Sequence, residues 1–232
     1  MGWFSRVKKT LVKEKMPFRG FSEVMPVHGS LENFEKKLLH KSLILLILGK
    51  RGSGKTATGM RLLEHIHENT KKKTFVLGYE ETKLPFWVKK AKDVESLPNN
   101  TALLIDEGAV TFSSRDAMKQ SNKYLGKLMA VARHKNLTLI LVTQNSAMID
   151  LNVLRLADSI IFKEPSLLQS KFERKAIKDL YDKVMPHFKP LKATHDSLAP
   201  FWVIMDDEYE GVLTSPLPSF WSDKVSTSYK NV

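Results

Sequence analysis

The chain has 232 residues, 42% of them hydrophobic, and carries 37 Lys and Arg against 25 Asp and Glu for a formal charge of +12. That is enough apolar material for one sizeable core, while the charge points to polyanionic partners, nucleic acid first, because a basic surface releases the counterions condensed on them. The absence of cysteine excludes disulfides, thiolate catalysis and Cys-ligated zinc.

Residues 1–29 read as a basic arm. Its first 19 residues hold Arg6, Lys8, Lys9, Lys13, Lys15 and Arg19 against Glu14, with Trp3, Phe4, Val7, Leu11 and Val12 interleaved. Such a segment can lie on a membrane surface, contact nucleic acid or dock on a neighbouring subunit. A short helix opens at Ser30, with Leu31, Phe34, Leu38 and Leu39 on one face, and ends by Lys41. Strands are then expected at Leu43–Leu48, Thr74–Tyr79, Thr101–Ile105, Leu137–Thr143, Ser159–Lys163 and Phe201–Met205. Helices are expected at Thr56–Asn69, Asp116–Lys135, Asn152–Leu156 and Ser166–Met185. Unbroken apolar strands alternating with helices imply an α/β architecture, a mostly parallel sheet with helices on both faces. Tyr209–Thr214 is expected as a final edge strand, and Pro216 and Pro218 end regular structure before a tail over 216–232. The division read from this pattern is an arm (1–29), one domain (30–215) and that tail.

The segment Gly49-Lys50-Arg51-Gly52-Ser53-Gly54-Lys55-Thr56, followed by Ala57, satisfies G-x-x-x-x-G-K-[ST] between an apolar strand and a helix. That context makes it a phosphate-binding loop for ATP. The glycines let backbone N–H groups curl around the β-phosphate at the positive end of a helix. Lys55 would reach the β and γ phosphates, and the Thr56 hydroxyl would ligate Mg²⁺.

Thr101-Ala-Leu-Leu-Ile-Asp106-Glu107 is an apolar strand that ends in two carboxylates at the carboxyl edge of the sheet. Asp106 is the candidate for holding Mg²⁺ and Glu107 the candidate base that polarises the attacking water. Leu137 to Thr143 delivers Gln144 to the same edge, where an amide can sense the γ-phosphate without adding charge. Arg133, Arg155 and Arg115 are candidates for an arginine finger offered across a subunit boundary, with Arg133 preferred. Arg115, Lys119, Lys123 and Lys127 recur every four residues and form a basic stripe suited to sequence-independent phosphate contacts.

Together these parts resemble the FtsK/HerA superfamily of P-loop ATPases, and within it the archaeal and viral genome-packaging and zonular-occludens-toxin-like branch. The loop at 49–56, Asp106-Glu107, Ala132-Arg133-His134-Lys135-Asn136 through Val142-Thr143-Gln144-Asn145, and Leu154-Arg155-Leu156-Ala157-Asp158 with Ile160 to Lys163 carry the resemblance, which covers roughly 42–185. It implies a RecA-like P-loop NTPase fold, a ring, commonly a hexamer, with ATP at subunit interfaces, and DNA in the central channel. The expected activity is hydrolysis of ATP with Mg²⁺, coupled to translocation of nucleic acid, double-stranded DNA packaging first. An ATPase for protein export or for filament or virion assembly is the second reading, and a non-motor P-loop kinase or switch the third. Capsid or membrane-associated partners are expected at the basic arm. No apolar run reaches the roughly 18–20 residues that span a bilayer, and no secretory signal is read. A cytoplasmic setting is therefore expected, the host cytoplasm if the chain is viral.

Overall fold

The computed structural model describes residues 20–79, 84–106, 126–143, 151–166, 175–222 and 225–226. Nine strands form one sheet in the order β1-β9-β8-β7-β2-β6-β5-β3-β4. They are β1 (Ser22–Gly29), β2 (Leu43–Leu48), β3 (Lys73–Leu77), β4 (Val88–Lys90), β5 (Thr101–Ile105), β6 (Thr138–Val142), β7 (Ser159–Phe162), β8 (Phe201–Asp206) and β9 (Tyr209–Thr214). The helices are α1 (Leu31–His40), α2 (Lys55–Asn69), α3 (126–134), α4 (Leu151–Leu156) and α5 (Lys175–Thr194).

All six residues of β2 are buried because the strand lies mid-sheet with helices on either side. Its alternation sorts the core. Ile44, Leu46 and Leu48 face a layer that includes Leu128, Met129 and Ala132 of α3 and Ile177, Tyr181, Val184 and Phe188 of α5. Leu43, Leu45 and Ile47 face the opposite layer, with Phe34 and Leu38 of α1 and Met60, Leu62, Leu63 and Ile66 of α2. The strands β7, β2, β6, β5, β3 and β4 run parallel, and β8, β9 and β1 continue the sheet antiparallel. Gly59 brings α2 close to the sheet, since a Cβ there would stand 2.7 Å from a Leu104 methyl.

Two expectations differ from the structure, and two of its features were not read from the sequence. Tyr209–Thr214 is not the edge, because β1, drawn from the segment read as part of the arm, pairs with it. The strand SEVMPVHG carries Pro26 and is exposed almost throughout, so it shows no buried alternation; its register shifts beside Pro26, the kind of irregularity where an edge strand tolerates proline. The three-residue β4 was too short to show a period. The last helix runs on to Thr194 through Pro186 and Pro190, with Phe188 and Leu191 buried beyond the first proline and offsetting the lost helical bond. The start of the tail is also docked: the Ser219 backbone N–H and hydroxyl both donate to the Glu64 carboxylate, and Phe220 stands edge-on to Trp87 with centroids 5.8 Å apart. No helix among the described residues is long and apolar enough to cross a membrane.

Trp202 of β8 is fully buried, and Phe21 stands edge-on to it at 5.3 Å. Trp202→Ala is expected to lower stability by about 3–5 kcal/mol, the usual cost of such a cavity. Trp202→Phe costs less, because it also deletes an indole N–H that has no partner among the described residues. Urea unfolding midpoints compared at equal m-value check both.

Candidate functional site

Residues 49–54 join the end of β2 to the start of α2, at the carboxyl edge of the parallel strands. Gly49, Gly52 and Gly54 have φ of 150°, 76° and 85°, values a residue with a Cβ rarely adopts. At Gly49 a Cβ would also meet that of Lys163 at 2.7 Å. Glycine is therefore required twice there, once by the torsion and once by the approach of β7.

Lys55 is 5% exposed and its ammonium donates to the carbonyls of Gly49 (3.0 Å) and Lys50 (2.8 Å), folding back over the loop. The Thr56 hydroxyl lies 3.3 Å from Asp106 Oδ2, across 50 residues of sequence. Asp106 follows the last residue of β5 and is 8% exposed. Tyr79, which the sequence reading placed only at a strand end, donates its buried hydroxyl to the same Asp106 oxygen at 2.9 Å. The loop thus stands beside a carboxylate already oriented by two hydroxyls.

Two residues beside the loop escaped the sequence reading as site residues. Lys163 continues β7, is fully buried, and donates to the carbonyl of Ala199. Burial, with a smaller contribution from the Lys55 charge, pushes its ammonium down to about 7 from 10.5. The unfolded chain therefore holds more protons between those values, so this group costs stability at neutral pH, and the cost is relieved as pH rises above about 7. Glu164 pairs with Lys50 and lies 3.6 Å from the Lys192 ammonium, while its carbonyl accepts the Lys50 N–H at 3.2 Å. The signal for both was available: an apolar strand beside β2 ends on a charged residue at the edge that carries the loop.

This arrangement fits a nucleoside triphosphate. Two buried ammonium groups flank the loop, and the Ser53 hydroxyl is buried with no hydrogen-bond partner among the described residues. Thr56 and Asp106 present hard oxygen donors together, the kind Mg²⁺ takes. Ala57 lies just inside α2 and is buried, whereas Arg51 is exposed at the crest of the loop.

Other candidates stand apart. Glu107 and Gln144 lie outside the described residues, although the strands that lead to them end at the edge carrying the loop. Arg115, Lys119 and Lys123 also lie outside them. Lys127 is exposed and paired with Glu95 at 2.7 Å. Arg133 sits at the opposite edge of the sheet, where Leu43 pairs with Thr138. Its guanidinium donates to the Leu156 carbonyl at 3.3 Å and lies 3.8 Å from Asp158. Because Arg133 precedes the amino end of β6 and the loop follows the carboxyl end of β2, a strand's length, roughly 17–20 Å, lies between them in one chain. Arg133 is thus not brought to that site in cis.

A parallel sheet with a glycine-rich loop after its central strand and an aspartate at the end of a nearby strand defines the P-loop NTPase class. Residues 58–164, just under half of the chain, match the Zonular occludens toxin (Zot) family model. Among solved structures, the DNA-packaging ATPase B204 from Sulfolobus turreted icosahedral virus is similar at 17% identity over 77% of this chain and 99% of that one, with a TM-score of 0.53. The pCW3 conjugation coupling protein TcpA, in a monomer form with ATPγS, is similar at 13% identity over 83% of this chain and 64% of that one, with a TM-score of 0.52. No curated protein matches the chain. At these identities the structural likeness establishes the fold, and with the Zot match it agrees with the FtsK/HerA-like resemblance carried by the motifs.

Proposed function

We propose that the chain is an ATP-hydrolysing motor that translocates nucleic acid, in its most specific form a viral-type ATPase packaging double-stranded DNA. The observation that carries the nucleotide part is the contact of Thr56 with Asp106 beside a loop capped by Lys55. Lys55 would leave its two loop carbonyls for the β and γ phosphates, stabilising charge that builds there during hydrolysis. Thr56 and Asp106 would hold Mg²⁺, which supplies charge neutralisation between the phosphates. Glu107 would take the proton of the attacking water, and Gln144 would hydrogen-bond that water or the γ-phosphate.

The position of Arg133 supports a ring, since a guanidinium far from its own loop can act as a finger only towards a neighbouring copy. A hexamer is the assembly we favour, with ATP at each junction. The charge of +12 supports nucleic acid as cargo. The basic arm is proposed as the contact for a capsid or membrane-associated partner.

The deciding measurement is ATP turnover with and without double-stranded DNA across a salt series. Stimulation is expected at low salt, decaying as salt rises, and lost when Lys119, Lys123 and Lys127 are changed together to Ala. Turnover indifferent to DNA at every salt concentration would sink the motor reading and favour an ATPase for protein export or filament assembly.

A further inference from the structure

The amino edge of the sheet, opposite the edge that carries the loop, holds a second concentration of positive charge. Lys71, Lys72 and Lys73 lead from the end of α2 into β3, and Lys89 stands on the neighbouring β4. All four line one hollow of ≈ 220 Å³, together with His67 and Trp87. No carboxylate is among its described lining residues, and Glu68, exposed on the last turn of α2, is not one of them. Lys71, Lys73 and Lys89 have no ion pair among the described residues. A helix C-terminus attracts cations, but its charge of about one half does not account for four ammonium groups.

The hollow is built on fixed parts. Lys72 is its buried lysine, 5% exposed, and its ammonium donates to the Lys41 carbonyl at 3.2 Å and the Thr138 hydroxyl at 2.9 Å. Neither of these partners carries a negative charge, and burial holds the Lys72 pKa below the ordinary lysine value. An anion at the mouth of the hollow would offset that cost. Across from it the His67 and Trp87 rings stack, with centroids 4.8 Å apart and planes 9° from parallel, and the Trp87 carbonyl accepts the Thr74 hydroxyl at 2.7 Å. Trp87 belongs to a turn closed by the Val88 N–H on the Pro85 carbonyl at 3.0 Å. Phe86, its neighbour in that turn, is 90% exposed and belongs to neither layer of the core. A bare aromatic ring is thus presented to solvent beside the lysines.

We infer that this face binds single-stranded nucleic acid, with the phosphodiester backbone over Lys71, Lys73 and Lys89 and one base stacked on Phe86. Sites for single strands join a positive groove to exposed aromatic rings, because every base has a face to stack. A duplex keeps those faces against one another, so it would use the lysines and not the ring. A lipid surface would use both, but a single ring offers too little apolar area to hold a chain there, whereas it suffices for one base. The inference needs neither the phosphate loop nor the stripe at 115–127, and it stands apart from the motor reading.

Fluorescence anisotropy of the full chain without nucleotide, titrated across a salt series with oligothymidylate of about 20 residues and with a duplex of equal length, tests this. Phe86→Ala is expected to weaken single-strand binding about tenfold, the worth of one stacked base, and duplex binding by less than about twofold. Changing Lys71, Lys73 and Lys89 together to Ala is expected to weaken binding of both, and to lower the slope of log affinity against log salt for the single strand by about 2. All four native side chains are exposed, so folding is spared, and circular dichroism verifies it. Equal losses for both ligands in Phe86→Ala, or single-strand affinity unchanged in either variant, would overturn the inference. A Phe86→Ala protein that keeps its single-strand affinity but no longer sediments with vesicles of about 30% phosphatidylserine would overturn it in favour of a membrane. Either failure leaves the motor reading to its own test, turnover stimulated by duplex DNA.

Discussion

Lys55→Ala is expected to lower ATP turnover by roughly 10²–10³-fold, the loss seen when one donor aimed at developing charge is removed. The side chain is poised for that work, because its present partners are carbonyls of the loop it would serve. Nucleotide affinity is expected to fall with it, since on the proposed function the ammonium would meet the β and γ phosphates in the ground state too. The effect on folding is smaller and has two parts of opposite sign. Two carbonyls lose a donor, which costs about 1–3 kcal/mol if water does not replace it. Against that, the buried Lys163 is freed of a like charge that now depresses its protonation. Single-turnover hydrolysis, alongside circular dichroism to verify the fold, separates the catalytic loss from any structural one.

Asp106→Asn should cost a comparable factor, roughly 10²-fold or more in turnover, with a different signature. Thr56 and Tyr79 both donate to one oxygen of this carboxylate, so the amide keeps the shape and an acceptor while removing the charge that attracts a divalent cation. Binding of nucleotide without Mg²⁺ is expected to survive, and the gain in affinity that Mg²⁺ confers is expected to vanish. Titration of nucleotide with and without the metal checks this. An Asp106→Asn protein that still binds MgATP more tightly than ATP would remove Asp106 from the metal role.

Much of the parallel half was legible because each of its longer strands is an apolar run with polar punctuation, as in LILLIL over 43–48 and TALLI over 101–105. The loop could be read from its glycines and its setting. What escaped notice was built from residues whose meaning depends on distant partners. Ser22–Gly29 forms a strand only because β9 offers an edge to it. Tyr79 is one more aromatic at a strand end until Asp106 is set 2.9 Å away. Lys163 looks like the solvated close of a strand, yet it is fully buried, since Gly49 has no side chain to hold it off. Arg133 was singled out for its chemistry, and only the placement of α3 ahead of β6 puts it at the far edge from the loop.

Gly59 bears on how such a site can move. With 2.7 Å between a would-be Cβ and Leu104, α2 has no slack against the strand that ends at Asp106. Thr56 and Asp106, the two residues proposed to hold Mg²⁺, are thus mounted on one stiff chassis and have little freedom to part. On the proposed function, a stroke driven by nucleotide would be expressed in what is hung from that chassis, such as the turn at Ala199, whose carbonyl meets Lys163, and the tail at Ser219, latched onto the flank of α2 through Glu64.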